Sequence, residues 1–296
     1  MERLADYEIL TAAGLSELGE GPVWDEQTKT FLWVDIAGHR VLSLPAGATE
    51  PSLVQLDRPI GFAVPTTQPG RLAIGLGTNV NLLDLANGST TPFAELDPRR
   101  TMRCNDGKCD PTGRLWAGVM PLDWGQMTGA FYSIDATGGT RQHLEGIGCS
   151  NGLAWNATRE TFYYIDSLKY RIEVYHWDAA AGSITFDRIL AAFTPEQGMP
   201  DGMCIDAEGQ LWVAFWNGGC LRRIDAETGA WLAQLDLPAR QITSCTFGGP
   251  DLTTLYITSA WTGLSDEDRQ AQPHAGAVFR LQTRVRGLPV DRFALA

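Results

Sequence analysis

No stretch of the 296-residue chain approaches the roughly 18 to 20 uninterrupted apolar residues of a membrane-spanning helix. Basic residues are in deficit: lysine and arginine total 23 against 35 acidic residues, for a net charge of −12. An acidic surface repels DNA, RNA and anionic membranes, so none of these is expected as a partner. The first residues, Met1 to Leu18, lack the basic start and apolar centre of a signal peptide, and the expected location is the cytoplasm. There the sequons at Asn87 and Asn156 carry no sugar. Among six cysteines there is no C-x-x-C pair. Scattered thiols read as small buried hydrophobes rather than disulfides or zinc ligands. Helical periodicity is nearly absent, with one short helix expected within residues 265–271. Disorder is excluded as well, since hydrophobic residues make up 44% and charged residues 20%.

What is present is a repeat. A small turn followed by an apolar or aromatic strand recurs at Phe31-Leu32-Trp33-Val34, Arg71-Leu72-Ala73-Ile74, Arg114-Leu115-Trp116-Ala117, Thr161-Phe162-Tyr163-Tyr164, Gln210-Leu211-Trp212-Val213 and Thr254-Leu255-Tyr256-Ile257. The second residues of these anchors stand 40, 43, 47, 49 and 44 apart. Another apolar run follows each anchor, and a Gly- or Pro-marked corner precedes it. About four strands per unit of roughly 45 residues, six times over, predicts an all-β, six-bladed β-propeller. The repeats tile the chain without a linker, so residues 1–296 read as a single propeller domain. The ten tryptophans suit sheets packed face to face. A β-sandwich would explain the strands but not their fixed spacing.

In a propeller, residues at one repeat phase form a ring at a mouth of the central channel. The corners place Glu20, Asn105, Asn151 and Asp201 at that phase, 10 to 12 residues before their anchors. The two other blades put Ile60 or Gly61, and Ser244 or Cys245, there. Carboxylates facing one another in a partly desolvated channel repel and lose hydration, and a divalent cation relieves both costs. The all-oxygen set suits Ca²⁺, Mg²⁺ or Mn²⁺, with Zn²⁺ or Fe²⁺ also admissible. His39, His143, His176 and His274 lie away from the corners, which disfavours a histidine zinc site. As single residues, Asn and Asp before Gly are also ordinary turn formers. Arg103 lies two before Asn105, so both side chains share a strand face, and Asp106 follows. A cation, an amide and an acid at a channel mouth suit a polyhydroxylated ligand; an ion pair is the plainer role for Arg103 alone.

Taken together, Glu20-Gly21-Pro22-Val23-Trp24, Arg103-x-Asn105-Asp106-Gly107-Lys108, Ser150-Asn151-Gly152-Leu153, Tyr163-Tyr164-Ile165-Asp166-Ser167, Pro200-Asp201-Gly202-Met203-Cys204-Ile205-Asp206 and Phe247-Gly248-Gly249-Pro250 resemble the SMP-30/gluconolactonase/regucalcin family over about Glu17 to Leu281. The resemblance implies one divalent metal held by Glu20, Asn151 and Asp201, with Asp201 as the catalytic base. It implies that Arg103, Asn105 and Asp123 contact substrate. The loop around Asp123 (Pro121 to Thr128) departs from the family pattern, and Trp124 within it offers a face for a sugar. The implied reaction is hydrolysis of sugar lactones (gluconolactone, xylonolactone, arabinonolactone or galactonolactone) to aldonic acids, and a monomer is the default expectation. Two other readings stand beside it: a non-catalytic Ca²⁺-binding protein of regucalcin type, and an esterase or phosphotriesterase using the same site.

Overall fold

Every anchor falls on the second strand of a four-stranded antiparallel sheet, counted outward from a central channel. The computed structural model describes residues 1–296. Its six sheets stand as the blades of a propeller. The innermost strands are Gly19–Asp25, Ile60–Pro65, Met102–Cys109, Ser150–Asn156, Met199–Ile205 and Gln241–Gly248. In the first five blades the strands run outward in chain order. The sixth is completed from the other end of the chain: Glu8–Ile9 pairs antiparallel with Phe279–Gln282 as its outermost strand. Glu2–Leu4 adds a fifth, parallel strand to blade five beside Trp231–Asp236. The N-terminal strands thus stitch the ring where it would otherwise have an open edge. The expected short helix spans Asp266–Ala271, with the Ser265 side chain accepting the Asp268 N–H as its N-cap.

Burial follows radial position. The second strand of blade one, Thr30–Asp35, is buried at every residue because blades cover both of its faces. The outermost strand of blade four, Ser183–Ala192, has no buried residue. The largest aromatic seam lies between blades three and four, where Trp116, Phe131, Trp155, Phe162, Tyr164 and Tyr175 interdigitate. The Phe131 and Phe162 rings are stacked with centroids 5.7 Å apart. Rings of this size are each worth about 3–5 kcal/mol against truncation to alanine.

Buried aspartates fix the turns. In blade three Asp110 Oδ1 accepts the N–H groups of Thr112 and Arg114 while Oδ2 accepts Trp116 Nε1 at 2.9 Å. Blade five repeats this: Asp206 Oδ1 accepts from Glu208 and Gln210, and Oδ2 from Trp212 Nε1 at 2.9 Å. One carboxylate therefore closes the Asp-x-x-Gly hairpin and satisfies a core indole.

The corners differ from their sequence reading. They are not turns leading into strands; they lie inside the inner strands. In all six blades the pairing register shifts there: between Glu20 and Val23, Ile60 and Ala63, Cys104 and Gly107, Asn151 and Leu153, Pro200 and Met203, and Ile242 and Ser244. Each is a β-bulge, which twists the strand and re-aims side chains, here toward the channel. The glycines after Asn151 and Asp201 serve close approach rather than a turn. A Cβ at Gly152 would stand 2.7 Å from the carbonyl oxygen of Asp201, and one at Gly202 would run into Ser244. The inner strands crowd around a narrow axis, and only glycine fits between them.

Candidate functional site

At one mouth of the channel the bulges bring together Glu20, Arg103, Asn105, Asn151 and Asp201 around a cavity of about 90 Å³. These five come from the inner strands of four different blades. Leu18, Ile36, Cys149, Met199, Trp124 and Trp216 complete the wall. None of the four histidines is among the lining residues. The oxygen donors offered to a cation here are two carboxylates and an amide.

The two acids are placed against their electrostatic preference. Glu20 and Asp201 are 8% and 4% exposed. Oε2 of Glu20 accepts only the N–H of Gly21, at 3.0 Å. Asp201 Oδ1 is buried and has no hydrogen-bond partner at all. Burial, and then the neighbouring charge of Asp106, pushes the Glu20 carboxyl up to about 8, against which Gly21 N–H and Arg103 pull only in part. Burial, then Glu20 and Asp106, raises Asp201 well above the ordinary carboxylate range. An orphaned carboxylate oxygen facing a second buried carboxyl is the environment that a divalent cation neutralises, and the donor set fits one.

The amide is oriented by its surroundings. Asn151 Nδ2 donates to Ser167 Oγ at 2.8 Å, and Ser167 in turn donates to the Pro200 carbonyl at 2.6 Å. With its hydrogen so committed, Ser167 can only accept from Asn151, which fixes the amide with Oδ1 turned away. That oxygen accepts Asn105 Nδ2 at 2.9 Å. Asn105 Nδ2 also donates to the Ser150 carbonyl, and its Oδ1 accepts Arg103 Nη1 at 2.6 Å. Asn105 is thus the bridge between the arginine and the Asn151 amide. Arg103 spends Nη1 on Asn105 and the Cys104 carbonyl, leaving its other N–H donors to the cavity.

Asp123 does not reach this wall. It is exposed and accepts Gln126 Nε2 at 2.6 Å within its own loop. Its neighbour Trp124, 58% exposed, forms part of the rim instead. Three contributors escaped sequence reasoning. Ser167 follows the second strand of blade four, Trp216 ends the second strand of blade five, and Met199 begins an inner strand; none shares the phase of the corners. The Tyr-Tyr-Ile-Asp-Ser run was visible as a motif, but nothing in it announces that its serine supports Asn151. Asp106 was visible beside Asn105; the structure adds that it is 8% exposed and raises both acids.

Comparison with known proteins agrees with this fold. The family model described as SMP-30/Gluconolactonase/LRE-like region matches residues 18–261. Regucalcin of Danio rerio is 39% identical over 277 residues, covering 93% of this chain and 94% of its own. A luciferin-regenerating enzyme superposes with a TM-score of 0.92 at 33% identity, over 98% of this chain and 99% of that one. The calcium-binding protein regucalcin of Agrobacterium tumefaciens superposes with a TM-score of 0.93 at 28% identity, over 99% of both chains.

Proposed function

The chain belongs to the SMP-30/gluconolactonase/LRE-like family, and from that premise we propose that it is a divalent-metal-dependent hydrolase opening sugar lactones to aldonic acids. The observation that carries the proposal is the pair of buried acids, Glu20 and Asp201, the latter with one oxygen unpartnered, set beside Arg103 in a small polar-floored cavity. An inert channel would pair such acids or replace them with apolar residues.

Glu20, Asn151 and Asp201 would hold the ion, of the class Ca²⁺, Mg²⁺, Mn²⁺, Zn²⁺ or Fe²⁺. When bound, it supplies Lewis-acid polarisation of the lactone carbonyl and charge to balance the acids. Asp201 takes the proton of the attacking water, for which its unpartnered oxygen is free. Water adds to the carbonyl carbon, the ring C–O bond breaks, and the departing ring oxygen receives a proton, giving a hydroxy acid that ionises. Arg103, held by Asn105, donates to substrate hydroxyl or carbonyl oxygens. Trp124 stacks on the apolar face of the sugar at the rim. The cavity's small size favours a compact polyhydroxylated lactone over the bulkier esters of a phosphotriesterase. Calcium binding without turnover is the second reading, favoured by the relatives that bear the name regucalcin.

Proton release tests the proposal. Chelator-stripped protein is given a panel of gluconolactone, xylonolactone, arabinonolactone and galactonolactone with each ion restored in turn. Acid production well above the spontaneous rate, dependent on the metal, is the expected result. Ion binding with no acceleration of any lactone would overturn the lactonase and leave metal binding as the function.

A further inference from the structure

Of the six cysteines, all free thiols, Cys204 and Cys245 stand apart from the scattered pattern of the sequence. They lie 41 residues apart on the adjacent inner strands of blades five and six, with sulfurs 3.5 Å from each other. Cys245 donates to the Trp212 carbonyl at 3.3 Å, which leaves its lone pairs toward Cys204. The two strands are already in close approach, since a side chain at Gly202 would collide with Ser244. Cys204 is only partly buried and lines a cavity of about 300 Å³ at the channel end opposite Glu20, beside Lys108, Phe247 and Asp291. A small oxidant therefore has a route to Cys204, while Cys245 is 1% exposed.

We infer that Cys204 and Cys245 form a reversible redox site, in which a peroxide oxidises the pair to a disulfide that fastens blade five to blade six. In the first step the Cys204 sulfur attacks the peroxide, the O–O bond breaks, and a sulfenic acid and water result. In the second the Cys245 sulfur attacks the Cys204 sulfur, the S–O bond breaks, and the hydroxyl leaves with the Cys245 proton as water. The sum is two thiols and one peroxide to one disulfide and two waters. Burial, and then the contact with Cys245, holds the Cys204 thiol well above its ordinary value, so the thiolate is scarce and the attack on peroxide is the slow step. Proximity of the resolving sulfur is what singles it out. Closing the gap brings the sulfurs to about 2.05 Å, a movement of side chains and of two strands that no helix or third element separates. The crosslink falls three residues beyond Asp201 on the same strand, and it does not depend on what that site hydrolyses.

The experiment uses the wild-type protein, fully reduced and then exposed to hydrogen peroxide under native conditions, followed by non-reducing digestion and mass spectrometry. The expected result is a linked pair of peptides carrying Cys204 and Cys245, lost on treatment with dithiothreitol. The oxidised protein should melt about 5 °C higher than the reduced one, because the link constrains the unfolded chain. Cys204→Ser should lose both the link and the shift. A sulfinic or sulfonic acid on Cys204 with no link, a link to any other cysteine, or six unchanged thiols would overturn the inference.

Discussion

The two ends of the channel are lined by the same six strands and solve the same electrostatic problem in opposite ways. At one end Glu20 and Asp201 are buried with almost no partners. At the other the half-buried ammonium of Lys108 donates to the carbonyls of Leu153 at 3.0 Å and Met203 at 2.8 Å, tying blade three to blades four and five. Residues 288–291 line the cavity at that end, and Phe293 beyond them is fully buried. A charge whose hydrogen bonds are met by backbone is structural. Charges left unmet three residues away on the same kind of strand are the ones we propose a ligand meets.

The largest expected effect is on turnover. Asp201→Asn keeps the shape and removes the base, and hydrolysis should fall by about 10³-fold with the fold intact; a rate within a few-fold of wild type would remove Asp201 from the chemistry. Next comes the opposite end. Lys108→Met should leave two buried carbonyls unmet and cost about 3 kcal/mol in denaturant unfolding, while turnover changes far less than in the Asp201 variant. A Lys108 variant of full stability but no activity would reverse the assignment of the two ends.

Ser167→Ala should weaken divalent-ion affinity by about 10- to 100-fold in calorimetry, since it frees the Asn151 amide to turn; unchanged affinity would mean that Asn151 is not a ligand. The pH dependence of the metal-free protein sharpens the comparison further. Glu20 titrates at about 8 in the folded chain against an ordinary value of 4.5. Below that lower value both folded and unfolded chains hold the proton. Between the two the unfolded chain releases it and the folded chain does not, so stability falls as pH rises through this window. A divalent ion should restore the melting temperature more near pH 8 than near pH 5, because binding displaces the proton. A melting temperature insensitive to pH and ion would contradict the strained pair. Smallest is Trp124→Ala, which should raise KM about two- to tenfold, the worth of one exposed stacking contact, with little change in kcat.

The propeller was legible because each blade repeats the same burial: the second strand is apolar on both faces, and six such runs recur at even spacing. Glu20, Asn151 and Asp201, which line the mouth, were legible as exceptions to that repeat, polar groups where Ile60 stands in blade two. What the repeat obscured was the reason for the glycines beside them. Asn-Gly and Asp-Gly carry turn chemistry, and here the same dipeptides answer to crowding across the axis, a contact between blades that local sequence does not encode. Ser167 and Trp216 were hidden for a related cause, since they reach the site from second strands whose phase differs from the corners. Asp123 shows the converse: its position after Met120 suggested a site residue, but the exposed loop turns the acid to Gln126 and presents Trp124 to the rim.

The central claim is that the unmet acids at one channel mouth are the ligands of a single divalent ion. A crystal of the protein grown or soaked with Mn²⁺ and measured for anomalous scattering tests it directly. The account predicts one strong peak bounded by Glu20, Asn151 and Asp201, and none at the Lys108 end. An empty mouth, or a peak bound by other residues, would contradict it.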